Sequence, residues 1–431
     1  MSISPDYIYQ CFLKYPVVST DTRQIQPGSV YFALRGASFN GNTFAEQALQ
    51  LGAAYAVIDE PEFAVNDHCL LVNDVLKTLQ ELACLHRKQF AIPVVAITGT
   101  NGKTTTKELI HAVLAKKFRT LATTGNLNNH IGVPMTLLRL NPETEIAIIE
   151  MGANHPGEID FLCKIAQPVY GIITNIGKAH LEGFGNLEGV VRTKTELYHY
   201  IQEHGGKLFV HCNDELLMGH SSTTGRITYG SGPADLSAEK ITANPYIALD
   251  LVFQDHGRYH VESHLYGKYN VSNMLAAACI GQYFGVGPEL VKEALENFRP
   301  DNNRSQVIRT SKNMLIMDAY NANPVSMAAA LNAFAGTTYD HKTVILGDML
   351  ELGDETDAEH DRILDLVDQC PFQQVFLVGP VFTRLNTRRE NICFQDSDLA
   401  RMWLEHHPPE NSAILIKGSH GIKLEKVIGC L

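Results

Sequence analysis

Residues 94–110 read VVAITGTNGKTTTKELI, and no other stretch narrows the choice of fold as much. The β-favouring run Val94–Thr98 is followed by a loop containing Gly99 and Gly102, and then by Lys103-Thr104-Thr105 opening a helical stretch. Strand, tight glycine loop and helix in that order turn backbone N–H groups toward one point, and the helix N-terminus adds positive potential there. The arrangement suits a phosphate-bearing nucleotide wrapped by Gly99, Thr100, Asn101, Gly102 and Thr105. Lys103 would neutralise the outer phosphates, and the Thr104 hydroxyl can ligate Mg²⁺. The usual loop of this kind has four residues between its first glycine and the Gly-Lys pair. Here Gly99 is followed by only two, which points to a particular subclass. A plain glycine turn between strand and helix is the competing reading.

Downstream, short β-rich runs alternate with helical ones: Ile146–Glu150 before Glu158–Ala166, then Gly171–Asn175 before Leu187–Ile201. The pattern breaks near Phe298-Arg299-Pro300 and restarts with strand candidates Met314–Asp318, Thr343–Leu346, Gln374–Val378 and Ala413–Lys417. Such alternation predicts parallel sheets covered by helices. A chain of 431 residues is too long for one domain at roughly 100–200 residues each. The expectation is an α/β protein of three domains. A small N-terminal α/β domain (residues 1–90) precedes a central phosphate-loop domain built on a parallel sheet (91–298). A C-terminal Rossmann-like α/β domain (299–431) completes the chain.

Charge decides the class of partner. The chain carries 35 Lys+Arg against 47 Asp+Glu, a net charge of −12, which disfavours non-specific binding to nucleic acid or an anionic membrane. No apolar run approaches the roughly 20 residues that span a bilayer. Nine scattered Cys without Cys-x-x-Cys spacing predict reduced thiols in a cytoplasmic protein. Nothing demands more than a monomer.

In open α/β sheets the carboxyl ends of strands face the ligand crevice. Glu150 ends its strand, and His180 follows the next one in NIGKAHLEGFG, so both are expected beside the loop as divalent-cation ligands. Each alone reads as an ordinary polar strand-end residue. Lys194, in VRTKTELYHYI, has by residue type the look of a solvated lysine on a helix. TTGNLNNHIGVPMTLL places Asn126, Asn128 and Asn129 in a loop, either as turn formers or as amide contacts to a sugar or peptide.

Taken together, TGTNGKTT, EMGANHPGEI, NIGKAHLEGFG, TKTELY and GKYNVSNMLAA resemble, in order and spacing, the Mur ligase family of ATP-dependent amide-forming enzymes. STDTRQIQPGSVYFALRG with FNGNTF resembles the uridine-nucleotide domain of one branch, and DAYNANPVSM (318–327) with LGDMLELG (346–353) resembles marks of the same branch. The resemblance implies ATP and two Mg²⁺ ions. It also implies a UDP-N-acetylmuramoyl-tripeptide as carboxylate substrate and D-alanyl-D-alanine as incoming amine. Glu150 and His180 would hold magnesium, Lys194 would be carbamylated into a magnesium-directed carboxylate, and Lys103, Glu150, His180 and Lys194 would form the catalytic group. Asn273 would contact adenine, Arg304 phosphate and Asp318 ribose. Thr22 and Arg23 fall in the uridine segment, and Asn126, Asn129, Asn321, Asn323 and Lys417 are candidates for substrate contacts.

Three positions depart from the family pattern: Tyr269 where His is common, Asn40 where an acid is usual, and His420 where Arg is more usual. A sister ligase with another acceptor and a folylpolyglutamate-type enzyme are the alternatives within the family. A nucleotide-sensing switch is the alternative outside it, disfavoured by the absence of a guanine-reading Asn-Lys-x-Asp stretch.

Overall fold

The computed structural model describes residues 3–223, 225–301, 303–387 and 389–431. Among the described residues, three large sheets carry the chain, beside a two-stranded pair of Arg35–Gly36 with Phe39–Asn40. The first has four parallel strands in the order Val18–Ser19, Val30–Phe32, Tyr55–Ile58, Cys69–Leu71. Its side chains alternate between faces, as a strand requires. Val30 and Phe32 pack with Phe12, Leu79 and Leu82 of the helices Pro5–Lys14 and Val75–Arg87. Tyr31 turns the other way, onto Ala45 and Ala48 of the short helix Ala45–Gln50.

The second sheet has nine strands, and its order places Val94–Thr98 between Ile146–Glu150 and Tyr170–Ile173. The chain leaves Val94–Thr98 toward one edge and returns to its other side, so a crevice opens at the carboxyl ends of these three strands. Seven strands, from Thr120–Ala122 across to Leu236–Ala243, are parallel. The hairpin of Tyr246–Phe253 and Gly257–Tyr266 then extends the sheet antiparallel. The alternation of strand and helix foretold the parallel part and missed this extension, because residues 226–266 hold five-to-ten-residue strands with no intervening helix. Helix Lys103–Leu114 begins at Lys103, the opening that the sequence Lys103-Thr104-Thr105 predicts. Helix Val271–Tyr283 covers the same face and is buried over most of its length.

The third sheet has six strands in the order Gln306–Arg309, Met314–Asp318, Ala413–Lys417, Lys342–Gly347, Gln374–Val378, Ile392–Phe394. Only the first is antiparallel to its neighbour. Apolar side chains pack on both faces, Val344 and Leu346 on one and Ile345 on the other, the signature of a sheet covered by helices on both sides. The carboxyl ends of Met314–Asp318 and Ala413–Lys417 reach the central crevice through Asp318 and Lys417.

Candidate active site

Two glycines shape the phosphate loop. Gly99 has φ +145°, and a Cβ there would lie 2.0 Å from the Thr174 hydroxyl oxygen. Gly102, at φ +78°, precedes helix Lys103–Leu114, and a Cβ there would press on the Asn273 amide at 2.8 Å. The loop is tied to the segment after strand Tyr170–Ile173. Thr100 N–H donates to the Asn175 carbonyl (2.9 Å), Asn101 N–H to Asn175 Oδ1 (3.0 Å), and Thr174 Oγ1–H to the Asn101 carbonyl (2.6 Å). Gly99→Ala is therefore expected to cost about 3 kcal/mol. It should also remove the rise in thermal midpoint that ADP gives the parent protein, measured by calorimetry with and without nucleotide.

Lys103 Nζ curls back over the loop to the carbonyls of Gly99 (2.8 Å) and Thr100 (3.2 Å). Burial pulls its pKa below the ordinary lysine value; Glu150 opposes this and Arg304 adds to it. Glu150 is 1 % exposed at its strand end. Its Oε1 accepts from Thr104 Oγ1 (3.2 Å) and Asn128 Nδ2 (2.8 Å), while its buried Oε2 has no partner among the described residues. A buried carboxylate oxygen without a donor is costly, and a dication beside Thr104 would satisfy it. Among the described residues no three His, Cys, Asp or Glu side chains converge as a metal cluster. A cation here would thus draw on Glu150, the Thr104 hydroxyl and phosphate oxygens, the oxygen-rich set that suits magnesium.

Lys194 is the largest departure from the expectation drawn from residue type. It is not solvated but buried at 2 % exposure. Among the described residues its ammonium has no hydrogen-bond or ion-pair partner and lies 5.5 Å from the Phe184 ring centre. Burial, reinforced by the charge of Lys103, pushes its pKa down to about 7 against the pull of Glu158 and Glu196. The sequence held a signal for this. Val190, Thr193, Leu197, Tyr198 and Ile201 are buried at helical spacing on helix Leu187–Glu203, and Lys194 falls on their face. Glu196, two residues on, accepts the N–H groups of Gly157 (2.7 Å) and Asp160 (3.0 Å). Glu158 accepts those of Asn154 (2.7 Å) and His155 (3.0 Å). These carboxylates fix the EMGANHPGEI loop against the cleft.

His180 sits at φ +50° beside the cleft, its Nδ1 2.5 Å from Glu351 Oε2. Burial lowers its pKa; Glu351 opposes this, and the charges of Lys103 and Lys194 reinforce it. On the opposite wall the Arg304 guanidinium carbon lies 3.7 Å from the Tyr320 ring centre, and its buried Nε has no partner among the described residues. Lys417 Nζ donates to Asp318 Oδ2 (2.7 Å) and to the Asn321 carbonyl (3.4 Å). Asn273 accepts from Thr106 Oγ1 (3.0 Å) and donates to Asn270 Oδ1 (2.8 Å).

A single cavity of about 610 Å³ is lined by Thr100–Thr105, Asn126, Asn129, Glu150, His180, Asn273, Arg304, Asp318, Asn321 and Lys417. Gly99 and Lys194 are not among its lining residues. Asn128 also lines it and, unlike Asn129, touches Glu150. The Asn129 carboxamide oxygen is spent on the N–H groups of Ile131 (3.1 Å) and Gly132 (2.9 Å), the turn-forming use. Thr22 and Arg23 lie apart on the first domain, where Arg23 pairs with Asp21 at 2.7 Å.

The three positions that depart from the family pattern are all engaged. Tyr269 Oη meets Ser305 Oγ (2.9 Å), Asn40 accepts from Asn42 N–H (3.0 Å) and donates to Glu60 (2.8 Å), and His420 lies 5.8 Å from the Tyr320 ring.

Residues 14–87 match the catalytic domain of the Mur ligase family, 97–281 the Mur ligase middle domain, and 303–420 the Mur ligase glutamate ligase domain. The UDP-N-acetylmuramoyl-tripeptide–D-alanyl-D-alanine ligase of Bacillus subtilis (strain 168) is 34% identical over 95% of this chain and 92% of its own length. The chain belongs to the Mur ligase family. The enzyme of the same name from Escherichia coli (strain K12) is also 34% identical, over 96% of this chain and 93% of its own. A crystal structure of MurF from Acinetobacter baumannii superposes with a TM-score of 0.87 at 31% identity, covering 100% of this chain and 98% of that one. MurF ligase from Thermotoga maritima in complex with ADP gives 0.85 at 25% identity over 97% of both chains. The three-domain α/β architecture is that of the Mur ligases throughout.

Proposed function

We infer that this chain is an ATP-dependent ligase that joins D-alanyl-D-alanine to UDP-N-acetylmuramoyl-tripeptide. The observation that carries the reading is the cavity between the central and C-terminal domains. It gathers a phosphate loop, an unpartnered carboxylate oxygen and an unpartnered guanidinium nitrogen in a chain one-third identical to ligases of that name.

An amide does not form from a carboxylate and an amine in water without activation. A tripeptide carboxylate oxygen attacks the γ-phosphorus of ATP, the bond to the β,γ-bridging oxygen breaks, and ADP leaves with that electron pair. The amine of D-alanyl-D-alanine adds to the resulting acyl-phosphate carbon. Collapse of the tetrahedral adduct expels inorganic phosphate, and the nitrogen gives up a proton. The first step brings two anions together. Lys103 and Arg304 lower its cost by placing positive charge on the phosphate side of an otherwise acidic chain. The fixed N–H groups of the loop orient the phosphates, and the domain interface excludes water that would hydrolyse the acyl phosphate.

The residues present fit magnesium through Glu150 Oε2, Thr104 and His180. When bound, two such ions would screen the phosphates and the incoming carboxylate. The depressed pKa of Lys194 leaves much of its amine neutral near pH 7. That lone pair can add to CO₂ and release a proton, leaving a carbamate directed at the same metal. In this proposal residues 1–90 hold the uridine end through the segment of Thr22 and Arg23, 91–298 hold ATP, and 299–431 close over ATP and the dipeptide. Asn126, Asn129, Asn321 and Lys417 line the route to the reacting carboxylate, with Asp318 and Asn273 on the nucleoside.

We place the reaction in the cytoplasm and the enzyme as a monomer. No described helix is long and apolar enough to cross a membrane. Mass spectrometry of the protein with Mg·ATP, UDP-N-acetylmuramoyl-tripeptide and D-alanyl-D-alanine should show the pentapeptide product in step with ADP and phosphate. ATP consumed without that product would reassign the acceptor, and no turnover with any acceptor would end the ligase reading.

A further inference from the structure

The LGDMLELG segment meets the central domain at Gly353, which packs beside Glu182, and through the Glu351 side chain, and its other contacts explain how that side chain is aimed. Strand Lys342–Gly347 is followed by Asp348, whose buried carboxylate accepts the N–H groups of Val381 (2.9 Å) and Phe382 (2.9 Å) at the start of helix Pro380–Leu385. The next N–H, of Met349, donates to His360 Nε2 (3.0 Å), while the His360 Nδ1–H donates to the Thr356 carbonyl (2.7 Å). Leu350 N–H donates to Ser419 Oγ (3.0 Å). The loop is thus clamped on three sides before it reaches Glu351.

Glu351 itself adopts φ +65°, the left-handed region that a non-glycine residue occupies at a cost. Its carboxylate crosses the domain boundary to His180 Nδ1 at 2.5 Å. The Glu351 side chain is 56% exposed, and a pair that open to water adds little stability. The strained backbone and the clamps therefore serve something other than holding the domains together. That task already falls to Lys178, which reaches Glu359 (2.8 Å) and Glu355 (3.4 Å), and to the paired amides of Asn101 and Asn323, joined at 2.7 Å.

We propose that Glu351 is the positioning residue for His180. The 2.5 Å contact at Nδ1 would hold the ring and keep the proton on that nitrogen, leaving Nε2 as the lone-pair nitrogen, and only while the C-terminal domain is closed. A histidine that binds a metal commonly gives its other N–H to a carboxylate, which sets tautomer and ring orientation. Here that carboxylate comes from another domain. Closure would therefore complete the geometry of His180 as well as shut out water. This inference rests on the ligase reading for its metal, and the test separates the two.

The full chain is prepared as Glu351→Ala and Glu351→Gln, with Glu355→Gln as the control that loosens the same interface without touching His180. Mn²⁺ binding in the presence of ADP is followed by electron paramagnetic resonance. The His180 tautomer is read by ¹⁵N NMR of histidine-labelled protein, with His180→Gln assigning the signal. Glu351→Ala is expected to weaken Mn²⁺ about 10-fold or more and to release the fixed Nδ1–H tautomer. Glu351→Gln, which keeps an acceptor, should fall between it and the parent, and Glu355→Gln should match the parent. Mn²⁺ affinity within about twofold of the parent in Glu351→Ala, well below the effect expected for an outer carboxylate, would overturn the proposal. So would an unchanged tautomer, or the same loss in Glu355→Gln. Failure of the parent to form product would instead count against the ligase reading, and the tautomer measurement would still report on Glu351.

Discussion

Lys103→Ala is expected to lower kcat about 1,000-fold or more while leaving the thermal midpoint close to that of the parent. The two effects separate because the ammonium contributes little to the empty fold. Its hydrogen bonds go to the carbonyls of Gly99 and Thr100, in a loop already held by Thr174 and Asn175. Burial also works against its charge. Its value appears when phosphate supplies the missing anion. Lys103→Arg should not restore the rate, since a planar fork cannot take the place of a compact ammonium curled over a tight loop. Turnover by coupled ADP release, beside circular dichroism and a melting curve, checks all three statements. A near-normal kcat for Lys103→Ala would refute the role given to the loop.

Lys194→Met should split activity from stability in opposite directions. The ligation rate is expected to fall about 100-fold or more, as the proposed metal-directed carbamate is lost. Stability should increase, because a buried ammonium without a partner is replaced by an apolar chain of similar length. The gain depends on pH in a defined way. The folded protein releases the Lys194 proton near pH 7, and the unfolded chain holds it to about 10.5. Between those values the unfolded state binds more protons, so parent stability rises with pH. The advantage of Lys194→Met is then full below pH 7 and fades toward pH 10. Melting curves in carbon-dioxide-free buffer should show a rise of roughly 3 °C or more at pH 6. Adding ¹³C-bicarbonate to the parent should give a carbamate signal that the variant lacks. A parent midpoint that is flat from pH 7 to 10 would contradict the buried neutral amine.

What could be read in advance followed from local rules. Val94–Thr98, Ile146–Glu150, Met314–Asp318 and Ala413–Lys417 are strands at the boundaries their β-rich runs suggested. Glu150 and His180 could be placed at the cleft because strand ends in such sheets share a side. Lys194 defeated the rule that lysines are solvated, although the spacing of its apolar neighbours marked its face as inward. Glu351 could not be found locally. Its partner belongs to another domain, and a contact between loops so far apart in the chain leaves no periodicity behind. The antiparallel hairpin at the sheet edge was lost for a similar reason, since strands that follow one another directly carry no helix to mark the alternation.

The last strand of that hairpin ends at Tyr266, which is 1% exposed and packs with Ile316, Leu331 and Phe334. A side chain of the central sheet is thus built into the core of its neighbour. The C-terminal domain cannot be treated as a cassette cut at residue 299. A graft onto another Mur ligase that leaves Tyr266 behind would carry an aromatic-sized void at its base. Exchange of acceptor specificity between relatives, whether by recombination or by engineering, would have to move the edge of the central sheet along with it.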